Sequence, residues 1–242
     1  MIADYYQRYI KYKAKYINYK LYYNEKNTTY IYDIIQEGGD IPKSNYKFIF
    51  PFKVGTNYDE LKLTREGEYS ITKRNDGKQL LDIMNNNIGL LKNKTITDLT
   101  ANVGGDTILF GLNAKNVKSI ELNKENYRVL KHNVKIYKLD NVKLYNGDST
   151  ELYNWYTDIV YIDPPWGGTD YMSKDNIDLY LGKYRLDLYI DYIITQEWKP
   201  KYIVMKLPKN YNFSVFNKYH SEKYDIVHKK KGLRFNIIII KI

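Results

Sequence analysis

The chain has 242 residues, 43% of them hydrophobic, and is therefore long enough to bury the core of a full α/β domain. It contains no cysteine, which excludes disulfide bonds, thiolate zinc sites and a cysteine nucleophile, and its three histidines are too scattered to form a metal site. The formal net charge of +10 indicates a polyanionic partner, such as nucleic acid, a nucleotide or an acidic membrane surface.

The N-terminal residues include an early acid and lack the apolar segment of a secretory signal. The longest apolar run, Ile237 to Ile240, is far too short to span a bilayer. We therefore expect an intracellular, soluble protein of the cytoplasm or nucleus, active as a monomer, with no membrane partner and no metal. A viral origin is left open.

Residues 1–24 carry tyrosines alternately four and three residues apart, which is the period of one helix face. The other face carries Arg8, Lys11, Lys15 and Lys20, which either face solvent or contact nucleic acid directly. A looser stretch follows this helix and marks the domain boundary. The sequence thus predicts a helical N-terminal extension over residues 1–45 and a main domain over residues 46–242.

Within the main domain, strands and helices alternate. The predicted strands are 95–100, 117–122, 142–147, 158–163, 201–208, 223–229 and 233–242, and the predicted helices are 74–89, 105–113, 124–138, 186–198 and a short one near Ser214. This alternation predicts an α/β fold with a doubly wound, mostly parallel, seven-stranded sheet. The last two strands are separated only by a tight turn, which predicts an antiparallel C-terminal hairpin.

In a doubly wound sheet, ligands bind beyond the carboxyl ends of the strands. Asp98 closes the first strand, and Gly104 and Gly105 open the next helix, where free N–H groups suit an anion and glycine permits close approach. Glu121 follows the second strand, where an acid commonly binds ribose hydroxyls, and Asp148 follows the third, in position to contact a base. The spacing of these residues predicts a nucleoside site.

The fourth strand leads into YIDPPWGGTDY, residues 161–171. One interpretation is structural, with the prolines ending a strand, the glycines forming a turn and Trp166 filling the core. The functional interpretation is that Asp163 accepts hydrogen bonds from an exocyclic amine while the rigid Pro164 and Pro165 expose a backbone carbonyl. Trp166 then offers a flat face to a base. We favour the functional interpretation, because a tryptophan flanked by prolines and glycines in a loop is poorly placed for a core.

The sequence DPPW, with a glycine loop and a ribose acid upstream, resembles class I S-adenosyl-L-methionine-dependent methyltransferases that modify exocyclic amino groups. The longer PPWGGTDY is similar to the signature of the trimethylguanosine synthase family, which methylates guanine N2 of a 7-methylguanosine RNA cap. The resemblance extends over residues 46–242 and is most specific at 161–171. Further segments similar to the family are LKLTREGEYSIT at 61–72, DLTANVGGDTILF at 98–110 and LPKN at 207–210.

This resemblance implies a Rossmann-like class I methyltransferase fold, S-adenosyl-L-methionine as cofactor and 7-methylguanosine-capped RNA as partner. It implies that Trp166 stacks on the methylated guanine, whose positive charge an indole face attracts by about 0.5–2 kcal/mol. Asp163 and the Pro164 carbonyl would orient the amine. The implied cofactor contacts are Asp98, Thr100, Asn102, Gly104, Glu121, Asp148 and Asp163, and the implied substrate contacts are Lys62, Tyr69, Trp166, Tyr171 and Lys209.

Lys62 and Lys209 match basic positions that meet the cap phosphates in the family, although for each lysine a solvated surface role is an alternative. Three residues depart from the family pattern. Asp163 replaces a serine, Asn102 replaces the first loop glycine and tolerates left-handed backbone, and Glu68 replaces an aromatic residue. Two alternatives therefore stay open, an adenine-N6 methyltransferase and an inactive cap- or RNA-binding module.

Overall fold

The computed structural model describes residues 41–214, 216, 225–229 and 234–242. The helix predicted in residues 1–24 lies outside these ranges, so the N-terminal extension and its boundary at residue 45 stay predictions. The short helix predicted near Ser214 borders residues outside the description. Where the described part begins, Ile41 is already buried against the first packed residues of the domain.

The secondary structure follows the predicted alternation. Within the described ranges the α-helices are α1 Tyr46–Ile49, α2 Arg65–Ser70, α3 Arg74–Ile88, α4 Gly105–Asn113, α5 Lys124–Ile136, α6 Ser149–Leu152 and α7 Leu186–Thr195. The strands are β1 Thr95–Asp98, β2 Asn116–Glu121, β3 Val142–Asn146, β4 Ile159–Ile162, β5 Tyr180–Leu181, β6 Tyr184–Arg185, β7 Tyr202–Pro208, β8 Asp225–Lys229 and β9 Phe235–Lys241. Short 3-10 helices cover Lys43–Asn45, Tyr58–Glu60, Leu91–Asn93 and Thr169–Ser173.

The main sheet has seven strands in the order β3-β2-β1-β4-β7-β9-β8. The first five are mutually parallel. Strand β9 is antiparallel to both β7 and β8, so six strands run in one direction and β9 runs against them. The predicted mostly parallel sheet and its antiparallel C-terminal hairpin are confirmed. The carboxyl ends of β1 to β4 and β7 consequently meet along one edge.

Both faces of the sheet are covered, which explains why its strands read as nearly continuous apolar runs. Alternate residues enter opposite cores: Val160 and Ile203 belong to a cluster with α7, whereas Tyr161 and Val204 belong to a cluster with α3 and α4. A third cluster packs the segment before α2 against α5. The sheet is thus held rigidly between helices, and the loops at its carboxyl edge are left to form a site.

The sequence did not predict the short elements. Helix α2 has six residues and begins where the Thr64 hydroxyl accepts a hydrogen bond from the Gly67 N–H at 2.9 Å. Strands β5 and β6 have two residues each and form a separate antiparallel hairpin with Gly182 at its turn. Elements this short do not complete one period of a hydrophobic pattern, which is why pattern alone misses them.

Candidate active site

The loop between β1 and α4 has the backbone that a close ligand contact requires. Asn102 has a φ of 47° and Gly104 a φ of 103°, both in the left-handed region. The positive φ of Gly104 favours glycine, and a Cβ there would lie 2.8 Å from Leu130 Cδ1, so a larger residue would also have to displace this buried side chain. Asn102 keeps the left-handed conformation, as expected from its chemistry, and the loop persists without its first glycine.

Glu121 ties this loop to the end of β2. One carboxylate oxygen accepts a hydrogen bond from the Asn102 N–H and the other from the Asn123 N–H, each at 2.7 Å. Burial raises the pKa of Glu121. Because each carboxylate oxygen can accept a second hydrogen bond, Glu121 can hold the loop and still bind hydroxyl groups of a ligand.

Asp98 lies beneath the same loop. Its side chain is fully buried and accepts hydrogen bonds from the Thr100 N–H at 3.1 Å and the Thr107 hydroxyl at 2.7 Å. Burial raises the pKa of Asp98 to about 8, and the neighbouring Asp106 carboxylate contributes in the same direction. In this structure, Asp98 joins the loop to α4, and its predicted contact with a cofactor stays a prediction.

Asp148 begins helix α6 at the end of β3. Its Oδ1 accepts hydrogen bonds from the Thr150 N–H at 2.8 Å and the Thr150 hydroxyl at 2.7 Å. The turn of the β5–β6 hairpin lies against it, since a Cβ on Gly182 would come within 2.8 Å of Asp148 Oδ2. The hairpin therefore borders the place where a base was predicted to bind.

Asp163 is held from two sides at the end of β4. Its N–H donates a hydrogen bond to the Thr100 hydroxyl at 2.7 Å, which joins the β1 and β4 loops. Its Oδ2 accepts one from Lys206 Nζ on β7, also at 2.7 Å. Lys206 Nζ donates a second hydrogen bond to the Thr72 hydroxyl, which in turn donates to Asp106.

Burial and neighbouring charges change the pKa values of both members of this pair. Burial raises the pKa of Asp163 to about 6, and Lys206 opposes this rise while Asp106 adds to it. Burial by itself lowers the pKa of the Lys206 ammonium, but the Asp163 and Asp106 carboxylates raise it above its usual value. The sequence prediction missed Lys206, although a lysine inside the apolar strand VMKL was an available signal.

Trp166 lies beside this pair and is half-buried. Lys206 Nζ is 5.2 Å from the centroid of its ring, and Tyr171 meets the ring edge-on with centroids 5.2 Å apart. Of the two prolines that follow Asp163 in the sequence, Pro164 is buried and Pro165 is exposed. The structure therefore brings together Asp163, Trp166 and Tyr171 of the predicted site.

The other predicted substrate residues, Lys62, Tyr69 and Lys209, are exposed. Lys209 directly follows β7 and so lies at the carboxyl edge of the sheet. Tyr69 is on α2, where its neighbour Ser70 accepts a hydrogen bond from Asn102 Nδ2 at 2.6 Å. Lys62 is fixed through its backbone to the side chain of Asn133 on α5. Among the described residues, no hydrogen bond or ion pair joins these three side chains to Asp163 or Trp166.

Metal ligands and membrane-spanning helices are the remaining features that bear on the expected partners. Within the described ranges, no group of three or more histidine, cysteine or acidic residues could hold a metal ion. In the same part of the chain, none of the helices has the length and apolar character needed to cross a membrane.

Similar architectures occur among solved structures of methyltransferases. The 16S rRNA N2 G1207 methyltransferase RsmC of T. thermophilus, solved with AdoMet and guanosine, aligns with a TM-score of 0.53 and 13% identity over 68% of this chain and 42% of that chain. Precorrin-6y C5,15-methyltransferase of Geobacter metallireducens GS-15 aligns with a TM-score of 0.51 and 17% identity, over 75% and 94% of the two chains. The fold is that of the Rossmann-like class I methyltransferases, as predicted.

The chain belongs to the RNA cap guanine-N2 methyltransferase family, whose sequence profile matches residues 93–238. It is also 30% identical over 218 residues to the uncharacterized protein L320 of Acanthamoeba polyphaga mimivirus, covering 76% of this chain and 85% of that protein. The predicted family is confirmed, and the protein is an S-adenosyl-L-methionine-dependent methyltransferase. The profile begins after the predicted segment at 61–72, so Lys62 and Tyr69 lie outside the match.

The strand-end residues fit the cofactor. Asn102 Oδ1 is buried and has no hydrogen-bond partner among the described residues, and Glu121 keeps free acceptor positions beside it. These neighbouring acceptors, one on the loop after β1 and one at the end of β2, suit a ligand with ammonium and ribose hydroxyl donors, such as S-adenosyl-L-methionine.

Replacing Glu121 by glutamine should therefore weaken cofactor binding about 10- to 100-fold, since charged hydrogen bonds contribute about 1.5–3 kcal/mol. A glutamine offers one oxygen to the two N–H groups of Asn102 and Asn123, so the loop also loosens. Isothermal titration calorimetry with S-adenosyl-L-methionine measures the change. Glu125→Gln, at an exposed position in the first turn of α5, is the matched control. Equal affinities of the two variants would show that Glu121 does not contact the cofactor.

Proposed function

We propose that this enzyme transfers a methyl group to the exocyclic N2 of 7-methylguanosine in RNA caps. One observation carries the proposal: the half-buried Trp166 adjoins the Asp163 carboxyl at the carboxyl end of β4, where the loops after β1 and β4 are joined. A flat aromatic face beside a hydrogen-bond acceptor suits a purine with an exocyclic amine. Membership of the cap guanine-N2 family supports the choice of guanine over adenine.

In this proposal, each residue has a defined task. Lys206 lies over one side of the Trp166 ring, so the purine stacks on the opposite side, with Tyr171 closing the edge. Asp163 and the Pro164 carbonyl accept hydrogen bonds from the N2 amine and orient it. Lys209, at the end of β7, and Lys62 meet the phosphates of the cap. The net charge of +10 favours such a polyanionic substrate.

When bound, S-adenosyl-L-methionine supplies an electrophilic methyl group. In the transfer, the amine nitrogen would form a bond to the methyl carbon as the carbon–sulfur bond broke, leaving S-adenosyl-L-homocysteine, and Asp163 or water would accept the proton that the nitrogen gives up. Because its lone pair is delocalised into the purine ring, N2 is a poor nucleophile. The protein therefore acts mainly by positioning, which can lower a barrier by up to about 7–11 kcal/mol.

A second candidate is an adenine-N6 methyltransferase, because Asp163 stands where the family usually has serine, and a carboxylate accepts an amine hydrogen bond equally well from adenine. An inactive binding module is the third candidate. Its main support was Asn102, but this residue keeps the left-handed loop in place beside Glu121. The monomeric state expected from the sequence stays a prediction.

One assay separates the candidates. Labelled S-adenosyl-L-methionine is offered with 7-methylguanosine diphosphate, unmethylated guanosine diphosphate and adenine-containing oligonucleotides in parallel. We expect label on 7-methylguanosine diphosphate alone, at N2. Label confined to adenine would overturn the cap proposal in favour of the second candidate, and tight cap binding without transfer would establish the third.

A further inference from the structure

Asp163 and Lys206 form a buried ion pair between two central strands. The exposed fractions of their side chains are 14% and 6%, and their charged atoms are 2.7 Å apart. Register accounts for the contact, since Ile162 on β4 lies opposite Met205 on β7 and the next residue of each strand is a member of the pair. Buried lysines and aspartates are rare unless they are paired.

The surroundings fix the ammonium group firmly. Lys206 Nζ donates to Asp163 and to the Thr72 hydroxyl at 2.9 Å, which satisfies two of its three hydrogens. Its ammonium group also lies near two aromatic rings, with Nζ 5.2 Å from the centroids of both Trp166 and Phe235. One side chain therefore contacts both residues that the proposed reaction uses, the acceptor Asp163 and the stacking platform Trp166.

We propose that Lys206 is a positioning residue that keeps Asp163 ionised and aimed at the substrate amine while supporting the buried side of the Trp166 ring. The inference rests on the proposed function, because it assigns a role through Asp163. It also explains how this chain accommodates an aspartate where the family usually has serine. A buried carboxylate needs a cation close to it, whereas a serine hydroxyl does not, and Lys206 on β7 is that cation.

Several other titratable groups face Asp163. The Asp106 carboxylate on α4 disfavours its ionised form, whereas Asp98 at the end of β1 is near Asp163 but is itself protonated below about pH 8. The hydroxyls of Tyr161 on β4 and Tyr171 also adjoin it, and both stay protonated because burial raises their pKa values. Without Lys206, Asp163 would face two carboxyls and two neutral hydroxyls, and it would bind a proton. A protonated Asp163 donates a hydrogen bond where the substrate amine needs an acceptor.

The test is a carboxyl-carbon NMR titration of the full chain labelled with 13C-aspartate, with Asp163→Asn used to assign the resonance. We expect the wild-type Asp163 midpoint near pH 6 and a midpoint about one to three pH units higher in Lys206→Met, the range by which a nearby opposite charge shifts a carboxyl. In Lys206→Arg, which keeps a positive charge beside Asp163, the midpoint should return most of the way to the wild-type value. The matched control is Lys201→Met, because Lys201 pairs with Asp158 at the opposite ends of the same two strands. An unchanged Asp163 midpoint in Lys206→Met would overturn the inference.

A double variant tests the inference if the single variant does not fold. If Lys206→Met is too unstable to titrate, Asp163→Ser combined with Lys206→Met should recover a cooperative thermal transition, because it leaves no unpaired carboxylate. A double variant as unstable as the single one would show that Lys206 serves packing alone. The titration needs no substrate, so its result can be interpreted even if the enzyme does not methylate caps. In an active enzyme, the acidic limb of kcat/KM should move with the NMR midpoint.

Discussion

Trp166→Ala is expected to reduce methyl transfer to 7-methylguanosine diphosphate by about 100- to 1,000-fold while leaving the affinity for S-adenosyl-L-methionine nearly unchanged. Stacking of a base on an aromatic ring contributes about 1–3 kcal/mol, and the positive charge of 7-methylguanine adds about 0.5–2 kcal/mol. Loss of the ring also removes one of the two aromatic contacts of Lys206, whose ammonium lies 5.2 Å from the centroid of the Trp166 ring. Turnover of the labelled cofactor and calorimetric binding are measured on the same preparation.

Two variants separate stacking from folding. Trp166→Phe keeps an aromatic face and should retain much of the activity. Trp155→Phe is the matched control, because Trp155 is also half-buried but stacks on Tyr145 and donates its N–H to Thr97, away from the loop after β4. If Trp166→Ala instead loses cofactor binding, Trp166 is a structural residue and the proposed base platform is wrong.

The fold was predictable because its signals are local. Strand β4 is a run of four buried apolar residues ended by two prolines, and α4 begins at Gly105 as the glycine pair predicted. Because parallel strands end at one edge of a sheet, the order of strands and helices in the sequence is enough to predict that Glu121, Asp148 and Asp163 lie along the same edge. Pattern and spacing therefore sufficed for the architecture, and the site at that edge stays a prediction.

The pairing within the site was not predictable in the same way. Both strands that carry Asp163 and Lys206 were recognised, but their adjacency and their register come only from the assembled sheet. A shift of one residue would have turned Lys206 to the other face. The contact between Gly182 and Asp148 escaped for a similar reason, since the two-residue strands that present it carry no periodic signal.

Asp98→Asn is expected to stabilise the protein at pH 8 by a few kcal/mol and to have little effect near pH 4. The folded pKa of Asp98 is about 8, far above the ordinary value of 3.8 that applies to the unfolded chain. Between these values the native state holds a proton that the unfolded state has released, so the contribution of Asp98 is fully present below pH 4 and is lost as the pH rises towards 8. Asparagine carries no charge at any of these pH values.

The substitution also preserves the hydrogen bonds around Asp98. The asparagine oxygen can accept from the Thr100 N–H, and its amide can donate to the Thr107 hydroxyl, whose own hydrogen can turn to Ser119 Oγ at 3.0 Å. Thermal unfolding at pH 5, 6.5 and 8 measures the effect, and each kcal/mol corresponds to about 2–4 °C for a chain of this size.

The control, Asp158→Asn, should behave with the opposite sign. Partial burial disfavours the charge of Asp158, but hydrogen bonds from Thr95 and Lys201 outweigh it and lower its pKa. The stability that Asp158 contributes is therefore present at neutral pH and is lost as the pH falls through its lowered pKa. Asp158→Asn should accordingly be less stable than wild type at pH 8, and the two should converge in acid. If Asp98→Asn shows the same trend as Asp158→Asn, Asp98 is ionised in the native state. Its negative charge, rather than hydrogen bonds of the neutral carboxyl, then holds the loop between β1 and α4 to α4.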